Sequence, residues 1–197
     1  MQPKIKFIGV AGTAGSGKNS VAELLTKLFG LRDLNTSDMG RAITRQVYHL
    51  PPDFNPVRDQ LYIVANYVRN EIHPAGYVKL CMLEAQALNL SGGVISGLRS
   101  MGEADAIREA GGIIIGVDAD PKIRYDRIYA RARDTESQKT YEEFLKQDEY
   151  ENRGISDTGP GRGIRAIIDS ADLVIKNDGS LEALERELQE KVAPFLR

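Results

Sequence analysis

The clearest chemistry in this 197-residue chain lies in one short string, Gly12-Thr13-Ala14-Gly15-Ser16-Gly17-Lys18-Asn19-Ser20. Glycines let a backbone curl tightly around an oxyanion, so that successive N–H groups point inward. Lys18 adds a mobile positive charge suited to β- and γ-phosphates. The string follows an apolar run, Ile5 to Val10, and opens a segment with Val21, Leu24, Leu25 and Leu28 on one face. Strand, glycine-rich turn and helix N-terminus, in that order, are what a phosphate-binding loop requires. The chemistry implied is capture of ATP and transfer of its terminal phosphoryl group. In the common pattern a Ser or Thr follows the lysine directly and ligates Mg²⁺. Here Asn19 intervenes, and Ser20 is the hydroxyl expected to take that role.

Other candidate residues follow apolar runs. Thr36-Ser37-Asp38-Met39-Gly40-Arg41-Ala42 comes after the short run Leu31–Asn35. An arginine one helical turn in, Arg41, can hold a phosphate bidentately. It can equally be a solvated helix arginine, with Ser37 or Asp38 as an N-cap. Ser96-Gly97-Leu98-Arg99 places an arginine immediately past a buried strand, where it points at the same crevice. Asp118-Ala119-Asp120-Pro121 precedes Arg124, Arg127, Arg131 and Arg133. The first three share a helix face by their spacing. With the polar loop 134–140 they read as a small lid that neutralises a phosphoryl group in transfer. The bland alternative is a solvated face paired with Asp126, Asp134 and Glu136. Arg153, Arg162 and Arg165 read as a solvated loop, and Asn177-Asp178-Gly179-Ser180 as a turn with an N-cap.

The elements that must position these residues alternate along the chain. Strands are expected at Lys4–Val10, Leu31–Asn35, Gly93–Ser96, Ile113–Val117 and Leu173–Lys176. Helices are expected at Lys18–Phe29, Met39–His49, Val57–Glu71, Ala75–Leu90, Ser100–Ala110, Lys122–Arg133, Tyr141–Glu151 and Leu181–Leu196, with a short one ending at Ser170. Pro51-Pro52, His73-Pro74, Gly92-Gly93 and Gly111-Gly112 break the pattern. Gly154–Gly163 reads as a glycine-rich loop. Strands separated by helices imply a parallel sheet covered on both faces, with phosphate sites at the carboxyl ends of the strands.

Composition narrows the classes. The length suits one domain, and no repeat or linker divides it. Net charge is −2, from 26 basic and 28 acidic residues, so no basic field argues for a nucleic-acid partner. No apolar run is long enough to span a bilayer, and no signal segment is visible, so no membrane partner is expected. Cys81 is the single cysteine, which precludes an internal disulfide and fits a reducing cytoplasm. Its helical setting reads as core rather than as a catalytic thiol. His49 and His73 lack partners at metal-site spacing and read as structural or exposed.

The Lys-x-Ser spacing of Lys18 and Ser20 resembles the adenylate kinase variant of the loop. The stretch from Thr36 to Ala42 is similar to Ser-Thr-Gly-Asp-Met-Leu-Arg-Ala of that family, with Arg41 on the arginine that grips the acceptor's phosphate. Gly97-Leu98-Arg99 resembles Asp-Gly-Phe-Pro-Arg, one residue shorter. The short turn and the string Glu103 to Gly112 look like bacteriophage deoxynucleotide kinases and an archaeal adenylate-kinase-like family. Asn177-Asp178-Gly179-Ser180 is similar to the loop that packs on adenine in adenylate and dephospho-CoA kinases. Over nearly its whole length the chain resembles the nucleoside monophosphate kinase and dephospho-CoA kinase superfamily.

That resemblance implies an α/β, three-layer P-loop NTPase fold with a five-stranded parallel sheet in the order 2-3-1-4-5. It implies one domain over 1–197, a helical acceptor-binding insert at 42–90 and a lid at 124–153. ATP would meet Gly12, Thr13, Ala14, Gly15, Ser16, Gly17, Lys18, Asn19, Ser20, Asn177, Asp178 and Gly179. Asp38, Arg41 and Arg99 would hold the acceptor. Lys18, Arg41, Arg99, Arg127 and Arg131 would act in catalysis, with Mg²⁺ on Ser20. The acceptor implied is a nucleoside or deoxynucleoside monophosphate. A dephospho-CoA kinase, with Asp38 as base, and a non-catalytic nucleotide-binding regulator are the alternatives. Partners would be small nucleotides, and the chain a cytoplasmic monomer or homodimer. One departure stands out: Ser96 occupies a position where relatives carry an acid that organises the magnesium water shell. Either Asp38 compensates, or ATP phosphates and Ser20 carry the ion.

Overall fold

Short runs of Val, Ile and Gly that are apolar at every position can be stable only as strands buried on both faces. Three such runs form the centre of the computed structural model, which describes residues 7–131, 140–153, 155–156, 159–160 and 163–196. They are β1 (Phe7–Gly12), β2 (Gly93–Leu98) and β3 (Ile113–Asp118), buried throughout apart from half-buried Asp118. Residues 4–6 of the expected first strand lie outside the described residues. A short antiparallel pair, β4 (Ile155–Ser156) and β5 (Gly159–Pro160), stands apart from the main sheet within the expected glycine-rich loop. β6 (Leu173–Lys176) completes the sheet, parallel to β3.

The main sheet has four parallel strands in the order β2-β1-β3-β6. This corrects the expected five-stranded sheet and its 2-3-1-4-5 order. Leu31–Asn35 is not a strand. It makes one isolated parallel bridge, Asp33 to Val94, flanked by hydrogen bonds from Leu34 N to Val94 O and from Val94 N to Arg32 O, both 2.8 Å. The reason is local. Asn35 caps a helix at once, its side chain accepting from Ser37 N at 2.8 Å, and that leaves no residues for a second bridge.

Helices cover both faces, each linked to the sheet by its apolar stripe. α1 (Lys18–Phe29) and α9 (Leu181–Val192) bury Val21, Leu25, Leu184 and Leu188 against Ile8, Val10, Val94 and Ile115. On the other face α4 (Gly76–Ala87), α5 (Met101–Glu109) and α8 (Ile164–Asp169) bury Val78, Cys81, Ile107 and Ile167 against Ile95 and Ile114. Cys81 is fully enclosed, and burial pushes its thiol up to about 12, which suits packing and not nucleophilic chemistry.

α2 (Thr36–Val47), α3 (Arg58–Tyr67) and α4 pack together around Val64, Val68 and Tyr77, joined by a wide turn at Val68–Ile72. α2 starts three residues earlier than the periodicity suggests, because Asn35 caps it. His49 takes φ 52° beyond its end. His73 accepts from Ala75 N at 2.9 Å through Nδ1, while its Nε2 lies 2.9 Å from Lys79 Nζ. α6 (Pro121–Arg131) and α7 (Tyr141–Arg153) lie against each other through Tyr125, Tyr141 and Phe144. No described helix is long and apolar enough to cross a membrane.

Leu188 tests the α9 seam. It is fully buried between α1 and the sheet, so Leu188→Ala should cost about 2–5 kcal/mol. A urea midpoint that moved by much less would mean that α9 is loosely docked.

Candidate active site

The loop Gly12–Gly17 leaves β1 at the carboxyl edge of the sheet and enters α1 at Lys18. Gly15 and Gly17 take φ of 77° and 92°, values open to glycine but strained for other residues. Crowding enforces the same choice. A Cβ on Gly15 would lie 2.5 Å from Arg124 O, and one on Gly17 would strike the Asn177 amide.

Two side chains behind the loop aim its backbone. Asn177 Nδ2 donates to Ser16 O at 2.9 Å, and Arg124 Nη1 donates to Ala14 O at 3.3 Å. In a trans peptide the N–H points opposite to the C=O. Drawing the carbonyls of Ala14 and Ser16 backwards therefore turns the N–H groups of Gly15 and Gly17 forwards. Thr13 Oγ1 and Ser16 Oγ are buried with no hydrogen-bond partner among the described residues. Buried hydroxyls without partners are unfavourable unless a ligand completes them. A glycine cradle with forward-facing amides and orphaned hydroxyls suits an anionic ligand such as a phosphate, and Ser20 lies in the first turn of α1 beside it.

Asn177 joins three elements. Its N–H donates to Asp118 O at 2.8 Å, and its carbonyl accepts from Arg127 Nη1 at 2.9 Å. Asp178 Oδ1 accepts from Asp120 N at 2.7 Å. The turns after β3 and β6 are thus braided together beside the loop. Arg124 is buried and engaged on every side. Its Nε donates to Ala119 O at 3.0 Å, and Nη1 and Nη2 meet Asp148 Oδ1 and Oδ2 at 2.6 Å each. The ring of Phe144 lies under its guanidinium, 5.3 Å from centroid to Cζ. Arg124 therefore ties loop, α6 and α7 together and is not free to meet a phosphate, unlike the lid role that its helix face suggested. Arg131 is exposed, its Nε bonded to Arg127 O at 3.2 Å. Arg133, Arg162 and loop residues 132–139 lie outside the described residues. Arg165 pairs with Asp118 and Asp169.

The second half of the crevice forms where α2 meets the end of β2. Thr36 Oγ1 donates to Gly97 O at 2.9 Å, and a Cβ on Gly97 would lie 2.7 Å from that hydroxyl. This contact brings the first turn of α2, with Asp38 and Arg41, beside the turn that carries Arg99. Arg41 is partly exposed. Its Nη1 reaches back to Ser37 O at 3.3 Å and lies 3.9 Å from Asp38 Oδ1, so the guanidinium is folded towards the N-terminal end of α2. Arg99 N donates to Glu103 Oε2 at 2.6 Å.

Sequence reasoning missed the group that sets this turn. Glu103 is fully buried, and its Oε1 accepts from Arg69 Nε at 2.9 Å. The Arg69 guanidinium lies 4.9 Å from the centroid of the Tyr77 ring. Tyr77 OH is buried without a partner among the described residues, and burial raises its pKa. Nothing in the local pattern marks Arg69, which becomes visible only when the turn at Val68–Ile72 swings it towards α5. Asp33 was missed as well. Burial pushes its carboxyl above the usual range, the charges of Asp38 and Glu23 act in the same direction, and the Ser96 hydroxyl opposes them with a 2.8 Å hydrogen bond.

A family model described as an AAA domain matches residues 8–152. A UPF0200 protein of Saccharolobus islandicus is 33% identical over 190 residues, spanning 94% of this chain and 92% of its own. The chain belongs to this P-loop family. A UPF0200 protein of Pyrococcus horikoshii is 29% identical over 196 residues, 96% of this chain and 97% of its own. Among solved structures, TT1252 from Thermus thermophilus aligns with a TM-score of 0.62 at 23% identity, covering 98% of both chains. Shikimate kinase from Bacteroides thetaiotaomicron aligns at 0.55 and 13% identity, covering 95% of this chain and 98% of that one. A gluconokinase from Sinorhizobium meliloti aligns at 0.54 and 16%, covering 100% and 95%. These likenesses give the α/β P-loop kinase fold.

Two measurements test the framework. Asn177→Ala removes one tie behind the loop, so ATP affinity should fall about tenfold, the equivalent of one hydrogen bond. Calorimetry showing unchanged affinity would mean that the cradle holds its shape without it. Glu103→Gln breaks a buried ion pair and should cost about 3 kcal/mol in a denaturant titration. A negligible change would mean that Arg69 and Glu103 gain nothing from each other.

Proposed function

We propose that the chain is an ATP-dependent kinase that transfers the γ-phosphoryl group to a nucleoside or deoxynucleoside monophosphate. The observation that carries this reading is the contact of Thr36 with Gly97. It sets two arginine-bearing turns, with Arg41 and Arg99, beside one another at the sheet edge that also carries the glycine cradle. Two guanidinium groups suit an anionic acceptor such as a second phosphate better than a neutral sugar.

In this reading the cradle amides, Thr13, Ser16 and Lys18 hold the β- and γ-phosphates. Ser20 would hold the magnesium that accompanies ATP, and the ion would supply charge neutralisation there. An anionic oxygen of the acceptor phosphate attacks the γ-phosphorus, the bond to the β-bridging oxygen breaks, and ADP leaves. The nucleophile is already ionised near neutral pH, so the protein supplies position and positive charge and not a strong base. Arg127 and Arg131 add charge from α6. The side chains of Asn177 and Asp178 and the backbone of Asn177 are taken up by the framework, which leaves the Asp178 carbonyl and the backbone of Gly179 to face adenine. Residues 42–90 serve as the acceptor insert and 124–153 as the lid, which excludes water from the transferring group.

Coupled ADP release, run with a panel of nucleoside and deoxynucleoside monophosphates and dephospho-CoA, tests the proposal. One or more monophosphates should turn over. Lys18→Ala should abolish turnover, and Arg41→Ala or Arg99→Ala should each raise the acceptor KM about tenfold or more, as loss of a charged hydrogen bond implies. Turnover with dephospho-CoA alone would overturn the choice of acceptor. Tight ATP binding with no acceptor-dependent turnover would overturn the enzyme reading.

A further inference from the structure

One polar cluster in the helical region has no part in the proposed phosphoryl transfer. Glu103 is fully buried, with Arg69 Nε on one carboxylate oxygen at 2.9 Å and the Arg99 N–H on the other at 2.6 Å. Arg69 is less enclosed, its side chain 18% exposed. A guanidinium carries five N–H donors in one plane and no hydrogen-bond acceptor. Glu103 takes only the Nε proton. Nη1 and Nη2 have no hydrogen-bond partner among the described residues. The Tyr77 ring, its centroid 4.9 Å from Cζ, steadies the guanidinium from one side.

Distances place this cluster between the two arginine-bearing turns. The Glu103 carboxylate bridges Arg69 and the Arg99 backbone, so the guanidinium stands one carboxyl group away from the turn after β2. On the opposite side a Cβ on Gly40 would lie 3.9 Å from Tyr77 Oη, and Gly40 immediately precedes Arg41. Tyr77 Oη is an independent sign of an unfinished site. The residue is 2% exposed, and its hydroxyl has no partner among the described residues.

Charge decides which ligand suits the two open Nη groups. Glu103 already neutralises Arg69 at contact distance, so the pair offers direction without net charge. A further anion gains little from it. A neutral carbonyl gains a donor, or two where a second lone pair lies alongside. An amino group gains nothing, because N–H would face N–H with no hydrogen-bond acceptor between them.

We infer that Arg69 reads the base of the nucleotide that receives the phosphoryl group, donating from its Nη groups to a ring carbonyl. The substrates are then monophosphates of 6-oxopurines or 4-oxopyrimidines, and those with an amino group at that edge are rejected. The inference rests on the monophosphate kinase reading above and narrows it.

The test is coupled ADP release with IMP against AMP and UMP against CMP, run as ribo- and deoxyribonucleotides. Each pair exchanges a carbonyl for an amino group at the edge in question. Wild type should favour the oxo member about tenfold or more in kcat/KM. Arg69→Lys keeps a charge beside Glu103 but loses the fork, and both ratios should fall about tenfold. A merely structural role would slow all the nucleotides alike and leave the ratios where they stand. If Arg69→Lys does not fold, Arg69→Gln combined with Glu103→Gln decides the matter. That pair is neutral, its amide can also accept from an amino group, and the oxo preference should vanish. Wild-type turnover of AMP and CMP as fast as IMP and UMP would overturn the inference and leave the kinase reading standing. So would a preference that survives in the folded variant. If no monophosphate turned over, both would fall.

Discussion

The geometry of this molecule turns on two hydrogen bonds that pull the phosphate loop from behind. Asn177 takes the carbonyl of Ser16, and Arg124 takes that of Ala14. Without such ties a loop rich in glycine has many backbone states of similar energy. With them, the peptide planes are set before any ligand arrives, and little ordering entropy is left to spend on binding. The anchors come from distant parts of the chain, the turn after β6 and the first turns of α6. The cradle is therefore complete only when the whole sheet has assembled.

The side of the crevice beyond β2 is built on a different principle. Its anchor is a buried carboxylate, Glu103, that grips the backbone of Arg99 with one oxygen and Arg69 of the helical region with the other. A single acid thereby fixes the turn beyond β2 and docks a helix–turn segment against α5. The Thr36–Gly97 bond then adds the start of α2. The two halves of the crevice meet at the carboxyl edge of a four-stranded sheet whose strands β1, β2 and β3 are buried almost throughout.

Much of this was legible in the residues. The loop, the order of most strands and helices after it and the core role of Cys81 all follow from spacing and local pattern. Leu31–Asn35 misled, because its apolar ends suggest a strand while Asn35 diverts the backbone into a cap after a single bridge. Arg124 misled for another reason. Its spacing with Arg127 and Arg131 places all three on one face, but periodicity says nothing of what covers that face, and Asp148 and Phe144 enclose only the first. Arg69 and Asp33 carry no local signature at all. Their significance comes from partners 34 and 63 residues away, a kind of information that composition and spacing do not hold.

Asp148 meets the same guanidinium that holds Ala14, so a single side chain touches both the anion cradle and α7. Thermodynamic linkage makes any such influence reciprocal. An anion that stiffens the cradle steadies α7 by way of Arg124, and a disturbance of α7 is returned to the cradle in equal measure. The helix beyond the crevice is in this sense a lever on the cradle's affinity for an anion, though it need never touch that anion.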